Sequence, residues 1–299
     1  MSTGRPIDTP DGGCYVLRPR QGWRASAGLH SEPLYPKGYA ITSRPTLERW
    51  RTGITHVEPG EIAYRGVPIQ DVIESWSFPA TVWLLLVGSA PSGEQEDAVR
   101  RVLVAACDHG LAAPSIAAAR TVASTRGAPG VAVATGLLAF SGPAHGGAAS
   151  ACAHVLLELD LVCVDDIVRR RLADGERIPG FGHPYHLHDP RVPGLMSAPL
   201  ERTEFRRLAS AVETALVRER GPKLHMNADA AVAGLLLDAG LPAHAIDLVT
   251  GIGRSVGLAA HVHEELLREA PFRAPALESI DYDGPPSQAP TSASPRVDE

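Results

Sequence analysis

Along most of this chain apolar positions recur at the three- and four-residue spacing of helices and seldom in strict alternation. From Phe78 to Val87 the residues are almost all apolar, and the run stops at Gly88 and Pro91, which predicts a helix ended by breakers. Between Glu94 and Cys107, the spacing of Val99, Val102, Leu103 and Ala106 predicts a second helix. Ser115 to Ala123 and Gly130 to Phe140 are built of small residues, as expected of helices that approach their neighbours closely. Leu208, Val212, Ala215 and Leu216 form a further stripe. The segment Asp229 to Asp238 ends at Gly240 with Pro242 beyond, a C-terminal helix signal. The longest predicted helix, Asp247 to Glu269, carries Leu248, Ile252, Val256, Ala259 and Leu266 on one side. Glu61 to Arg65 is the best strand candidate, with a turn at Arg65–Gly66.

No regular strand–helix alternation appears, which argues against a doubly wound α/β fold. Neither GxGxxG after a strand nor GxxxxGK[ST] occurs, so nucleotide sites of those two kinds are set aside. Residues 1–44 are rich in Gly, Pro, Arg and Ser and lack a sustained period; they predict an irregular arm that packs through Tyr15, Trp23, Tyr35 and Tyr39. The Pro/Ser/Ala-rich stretch 284–299 predicts a disordered tail.

Composition narrows the classes. With 299 residues the chain can form one large domain or two smaller ones, with a core that needs no disulfide or metal. Lys and Arg number 28 against 34 Asp and Glu, a net charge of −6, and no basic tract is present. Nucleic acid is therefore not an expected partner. No apolar run approaches the roughly 18 residues that would span a membrane. The polar start, Met1 to Pro10, predicts no secretory leader. Cys14, Cys107, Cys152 and Cys163 form no CxxC pair, and a reduced, cytoplasmic setting is expected.

Three histidines stand beside glycine in loop-like contexts: Asp108-His109-Gly110, Pro143-Ala-His145-Gly-Gly147 and Gly180-Phe-Gly-His183-Pro184. Tight turns place such rings in a cleft and allow a ligand close to the backbone, although a cap or a solvated loop residue has the same look. The run His183-Pro-Tyr-His186-Leu-His188-Asp189 offers zinc-type ligands, but Pro184 and Pro190 stiffen a short loop and no H-E-x-x-H helix supports it, so no metal is expected. Asp229 reads either as a first-turn carboxylate or as a general base at a helix start. Arg191 lies in a rigid Asp-Pro-Arg turn, and Arg254 lies among Gly251, Gly253 and Gly257 in an otherwise apolar helix. An arginine there needs an anion, either an internal carboxylate or a substrate's.

Taken in order, these pieces resemble the citrate synthase family. The likeness covers about residues 50–285: Thr52 to Gly66, Asp108-His109-Gly110, Gly142-Pro-Ala-His145-Gly-Gly-Ala148, Ile178-Pro-Gly-Phe-Gly-His183 with Asp189-Pro-Arg191, Met226-Asn-Ala-Asp229, and Gly251-Ile-Gly-Arg254. Within the family the chain looks most like the short citryl-CoA lyase branch. Its length, the stretch 108–115, the His183-Pro184 pair and Asp238-Ala-Gly-Leu-Pro242 carry that likeness.

The resemblance implies an all-α fold with a large domain, residues 45–149 plus 233–283, and a smaller inserted domain, residues 150–232. The active site would lie in the cleft between them, in a homodimer. It implies Asp229 as base, His145 as donor to the thioester oxygen, and His183 as donor to the oxaloacetate carbonyl or acceptor of the citryl hydroxyl proton. His109 would position the 2-oxo acid, while Arg191 and Arg254 would clamp its carboxylates. Arg273 would be a third arginine reaching a partner's site. Ile178, Pro179 and Gly180 would offer backbone groups to the adenine of coenzyme A, a substrate carrier and not a resident cofactor. Citrate synthase, a 2-alkylcitrate-type synthase and a non-catalytic homologue acting as a partner subunit or sensor are the alternatives. Departures from the pattern are a His183–Arg191 stretch one residue short, His186 and His188 where basic residues often meet phosphates, Ala228, Ala230 and Ala231 near the base, and residues 1–44, which match nothing.

Overall fold

The computed structural model describes residues 51–286. The arm expected over 1–44 and all but the first three residues of the expected tail lie outside these residues. An antiparallel meander comes first: β1 (Thr55–Glu58), β2 (Glu61–Tyr64) and β3 (Val67–Pro68), in the order β1-β2-β3. Thr55 pairs with Tyr64, and Ala63 with Pro68. The strand expected over Glu61 to Arg65 is β2, stopping one residue earlier. Arg65 and Gly66 take φ of 51° and 85°, the two positive values that a tight two-residue hairpin requires. The Arg65 guanidinium then bonds the carbonyls of Gly53 and Leu85, tying the hairpin to the helices that follow.

Those helices are α1 (Ile69–Ser75), α2 (Phe78–Val87), α3 (Gly93–Ala106), α4 (Pro114–Ser124), α5 (Pro129–Phe140), α6 (Ala148–Leu157), α7 (Val164–Ala173), α8 (Val192–Met196), α9 (Glu204–Arg220), α10 (Ala228–Asp238) and α11 (Ala243–Arg268). The fold is thus helical, as the resemblance implies. Local chemistry accounts for the boundaries. The Ser77 hydroxyl caps α2, and Gly88 ends it with a φ of 95°. Ser92 and Gln95 form a reciprocal capping box on α3. Proline opens α4 and α5, where its missing N–H costs nothing.

The main core gathers α3, α6, α9 and α10. Every residue of α10 except Asp229 is buried, which makes it a central helix. Asp238 at its end accepts N–H groups from Phe205 and Arg206 and the Arg206 Nε, so the start of α9 is held by a buried carboxylate. A second cluster joins α4, α5 and α11. The close approach expected of small-residue helices occurs at Gly136, where a Cβ would stand 2.4 Å from Leu258 and 3.0 Å from the Ser115 carbonyl.

The face of α11 differs from expectation. Leu248, Val256 and Ala259 are exposed, and the helix buries Ile246, Val249, Gly253, Gly257, Leu258 and Val262 instead. Close packing selects the glycine face: a Cβ at Gly253 would stand 2.6 Å from the Leu103 carbonyl oxygen. Hydrophobicity alone favours the bulkier side. No helix among the described residues is long and apolar enough to cross a membrane.

Candidate active site

One cavity of about 770 Å³ opens between α3, α4, α10 and α11 and the loops around 142–146 and 177–185. His109, His145, Ile178, Pro179, Gly180, His183, Arg191, Asp229 and Arg254 all line it. Sequence reasoning had singled out each of these from segments far apart in the chain. Arg273 stands elsewhere: its Nε and Nη2 bond the buried Glu265 at 3.0 and 2.7 Å.

Asp229 and His183 are brought together by a short backbone ladder. The Gly182 N–H bonds the His225 carbonyl, the Asn227 N–H bonds the Gly180 carbonyl, and the Asn227 side chain donates to the Gly182 carbonyl. Gly180 has a φ of 91°, and a Cβ there would lie 2.7 Å from that of Ala230, so only glycine allows the loop to lie on α10. The helix cap is Asn227, whose side chain accepts the Asp229 N–H at 2.9 Å. This leaves the Asp229 carboxylate free for the cavity. Burial pushes its pKa up to about 6, against the pull of the Arg191 and Arg254 charges.

His183 sits in a loop that fixes its tautomer. Its Nδ1 accepts the N–H groups of Tyr185 and His186, both at 3.1 Å. The ring proton therefore belongs on Nε2, 3.2 Å from His109 Nε2, and the His109 proton on Nδ1. Burial lowers the pKa of both rings; the Arg191 charge adds to this at each, against the pull of Asp189, so they are neutral at neutral pH. His145 Nε2 lies 2.9 Å from the buried Ser115 hydroxyl, and burial with the Arg254 charge likewise favours its neutral form. The His183 and His186 rings lie 4.6 Å apart, whereas the His188 ring is turned away to lie tilted at 44° against His225, 4.1 Å between centres.

Two cations differ in their state. Arg191 is held by Asp189 through Nε and Nη2 at 2.9 and 2.6 Å, and that carboxylate also accepts the Ala228 N–H. Burial raises the Asp189 pKa, but these bonds outweigh it and bring it down to about 2. Arg254 is buried beneath the cavity with its carbon Cζ 4.8 Å from the Phe140 ring centre. Its Nε and Nη1 have no hydrogen-bond partner among the described residues. An unsatisfied buried guanidinium beside a cavity is suited to a ligand carboxylate.

The family model described as "Citrate synthase, C-terminal domain" matches residues 89–274. The chain belongs to the citrate synthase family. Members of this family are enzymes. A putative citrate synthase 2 of Mycobacterium tuberculosis is 31% identical over 238 residues, 77% of this chain and 62% of that protein. The chain thus spans about three fifths of that curated relative. Citryl-CoA lyase from Hydrogenobacter thermophilus is 34% identical, with a TM-score of 0.73 over 81% of this chain and 97% of that one. ATP citrate lyase from Methanothrix soehngenii, solved with citrate and coenzyme A, shares the fold at 24% identity and a TM-score of 0.71.

Sequence reasoning missed Ser115 as the partner of His145 and Asp189 as the carboxylate that holds Arg191 to the start of α10. Asp189 lay within a quoted motif, and its position two residues before Arg191 was a usable signal. Ser115 is 30 residues from His145 and gives none.

Proposed function

We propose that this citrate synthase-family enzyme makes or breaks the carbon–carbon bond between an acyl-CoA and a 2-oxo acid, and that it acts as a citryl-CoA lyase, cleaving citryl-CoA to acetyl-CoA and oxaloacetate. The observation that carries this is one cavity shared by a half-buried carboxylate with a pKa of about 6, neutral imidazoles, and an arginine with two buried N–H groups unpaired among the described residues. In cleavage, the citryl hydroxyl gives its proton to the Nε2 lone pair of His109, the ring nitrogen that the His183 tautomer leaves as an acceptor, and the carbon–carbon bond breaks. The electron pair passes into the thioester as an enolate, and the enolate carbon takes a proton from Asp229. In synthesis Asp229 removes that proton. A carboxylate is too weak a base for this alone, so a donor must stabilise the thioester oxygen as charge develops. With the Ser115 hydroxyl donating to Nε2, His145 offers Nδ1–H for that purpose. The bonds at His183 Nδ1 favour its role as donor to the 2-oxo carbonyl. Arg254 and Arg191 receive the carboxylates, and the Ile178–Gly180 backbone receives the adenine.

The match to citryl-CoA lyase, 34% identical over 97% of that chain, supports the lyase reading. The names of the curated relatives favour a citrate synthase instead. We place the division into large and small domains as the sequence reading has it, with closure excluding water during the chemistry. Val131 and Leu138 of α5 and Leu248 and Val256 of α11 expose apolar surface suited to a second copy, which supports a homodimer. Arg273 would reach a partner's site only by leaving Glu265.

Two assays on purified protein test the reading. Acetyl-CoA plus oxaloacetate is followed by release of free thiol, and citryl-CoA by appearance of oxaloacetate. Oxaloacetate from citryl-CoA without thiol release in the first assay is expected. Thiol release in the first would establish a synthase, and inactivity in both would support the non-catalytic alternative. In the synthetic direction, where Asp229 is the base, we also expect kcat/KM to fall on the acid side with a limb near pH 6; in cleavage, where Asp229 gives the proton, the limb near pH 6 lies on the alkaline side. A limb near pH 4 in the synthetic direction would remove Asp229 as the base.

A further inference from the structure

The geometry points to His261 as a positioning residue for the 2-oxo acid side of the site, acting through Asp108 on His109. This rests on the reading that His109 meets the 2-oxo acid. His261 Nε2 lies 3.2 Å from Asp108 Oδ1, and its side chain is 17% exposed. Asp108 directly precedes His109; burial raises its pKa, but the His261 side chain and the backbone N–H groups of His109 and Gly110 together bring it below the usual carboxylate range. One carboxylate thus joins helix α11 to the turn that presents His109. Gly110 closes this turn with a φ of 78°.

The helix itself is placed for this. A Cβ at Gly257 would stand 2.0 Å from the Cys107 carbonyl oxygen, so α11 lies directly on the residue before the turn. Arg254, Gly257 and His261 follow at i, i+3 and i+7, which puts them on one face. That face carries the carboxylate clamp, the backbone contact and the tether in succession. Asp108 is also foremost among the charges that favour the Arg254 cation. Two of the groups assigned to the 2-oxo acid, His109 and Arg254, are therefore linked to the same carboxylate.

The remaining ring atom shows what His261 is not doing. Its Nδ1 is buried and has no hydrogen-bond partner among the described residues. The Glu264 carboxylate stands 4.0 Å from it, already engaged by Arg120 and Arg268. The nearest charged group to this ring is the Asp108 carboxylate, 3.2 Å from Nε2. Asp108 is 44% exposed, and a pair so open to water adds little to global stability. Its effect falls on the placement of the turn.

The test compares His261→Ala and His261→Gln in the full chain. The Gln Nε2 can supply the donor that the imidazole Nε2–H supplies. Three quantities are read: amide hydrogen exchange at His109 and Gly110, calorimetric binding of oxaloacetate, and calorimetric binding of acetyl-CoA. For His261→Ala we expect exchange at those two amides and the oxaloacetate Kd each to rise about tenfold, the size of one lost charge-assisted hydrogen bond. The acetyl-CoA Kd should stay within about twofold on the same argument, and His261→Gln should restore most of both losses. Unchanged exchange in His261→Ala overturns the proposal. So does equal weakening of both substrates, or a Gln variant as impaired as the Ala variant. If the wild type binds no oxaloacetate, the functional reading fails, and the amide exchange still decides the tether.

Discussion

Asp229→Asn is expected to lower turnover by about 10²–10⁴-fold, the contribution of a positioned general base, while the protein folds normally. The amide keeps the shape of the side chain and loses only the ability to take a proton. Asn227, not Asp229, caps α10, so the helix start survives the change. Stability gives an independent check. The folded pKa of Asp229 is raised from about 3.8 to about 6, so its protonated form is the favoured one in the native state. That contribution is fully present below about pH 4 and lost as pH rises through 6. Relative to wild type, the Asn variant should therefore gain stability between pH 4 and 6 and keep the gain above it. Thermal unfolding across that range, together with steady-state rates, measures both effects. Wild-type turnover in the variant would end the role of Asp229 as base.

Arg254→Leu is expected to raise the KM for the 2-oxo acid by about 10²-fold, as loss of two charge-assisted hydrogen bonds requires. In the condensation direction the acetyl-CoA KM should change by less than about threefold, because the groups proposed for coenzyme A lie on the 178–180 loop. The free enzyme should not lose stability. Arg254 is buried with two N–H groups unsatisfied, and burial already lowers its pKa. Replacing such a cation by an apolar side chain relieves a cost that the wild type bears without ligand. Steady-state kinetics with each substrate varied, plus the unfolding temperature, tests this. Equal rises in the two KM values would argue against a carboxylate clamp.

How much of this was legible beforehand depended on whether the signal was local. Glycine and proline around His109, His145 and His183 marked their turns without reference to any partner, and the order of the motifs placed Asp229 and Arg254 with them. The cavity joins all five. The face of α11 was misread because helical period identifies a stripe by hydrophobicity, whereas the packed stripe is defined by Gly253 and Gly257, which let backbones touch. β1 passed unnoticed because Thr55–Glu58 is mostly exposed and lacks an apolar face. The contacts Ser115–His145 and Asp108–His261 join residues 30 and 153 positions apart, and no single-chain spacing records them.

Helix α10 holds the base on its second residue and is enclosed by protein along the rest of its length. A library of variants aimed at new acyl or keto substrates would find little room there, since most changes on that helix would disturb the centre of the molecule. Divergence of substrate scope has freer positions on the rim, at Ala112, Ala144 and Tyr185, which line the same cavity from loops. The enclosure of α10 thus separates what such an enzyme can vary in evolution from what it must keep.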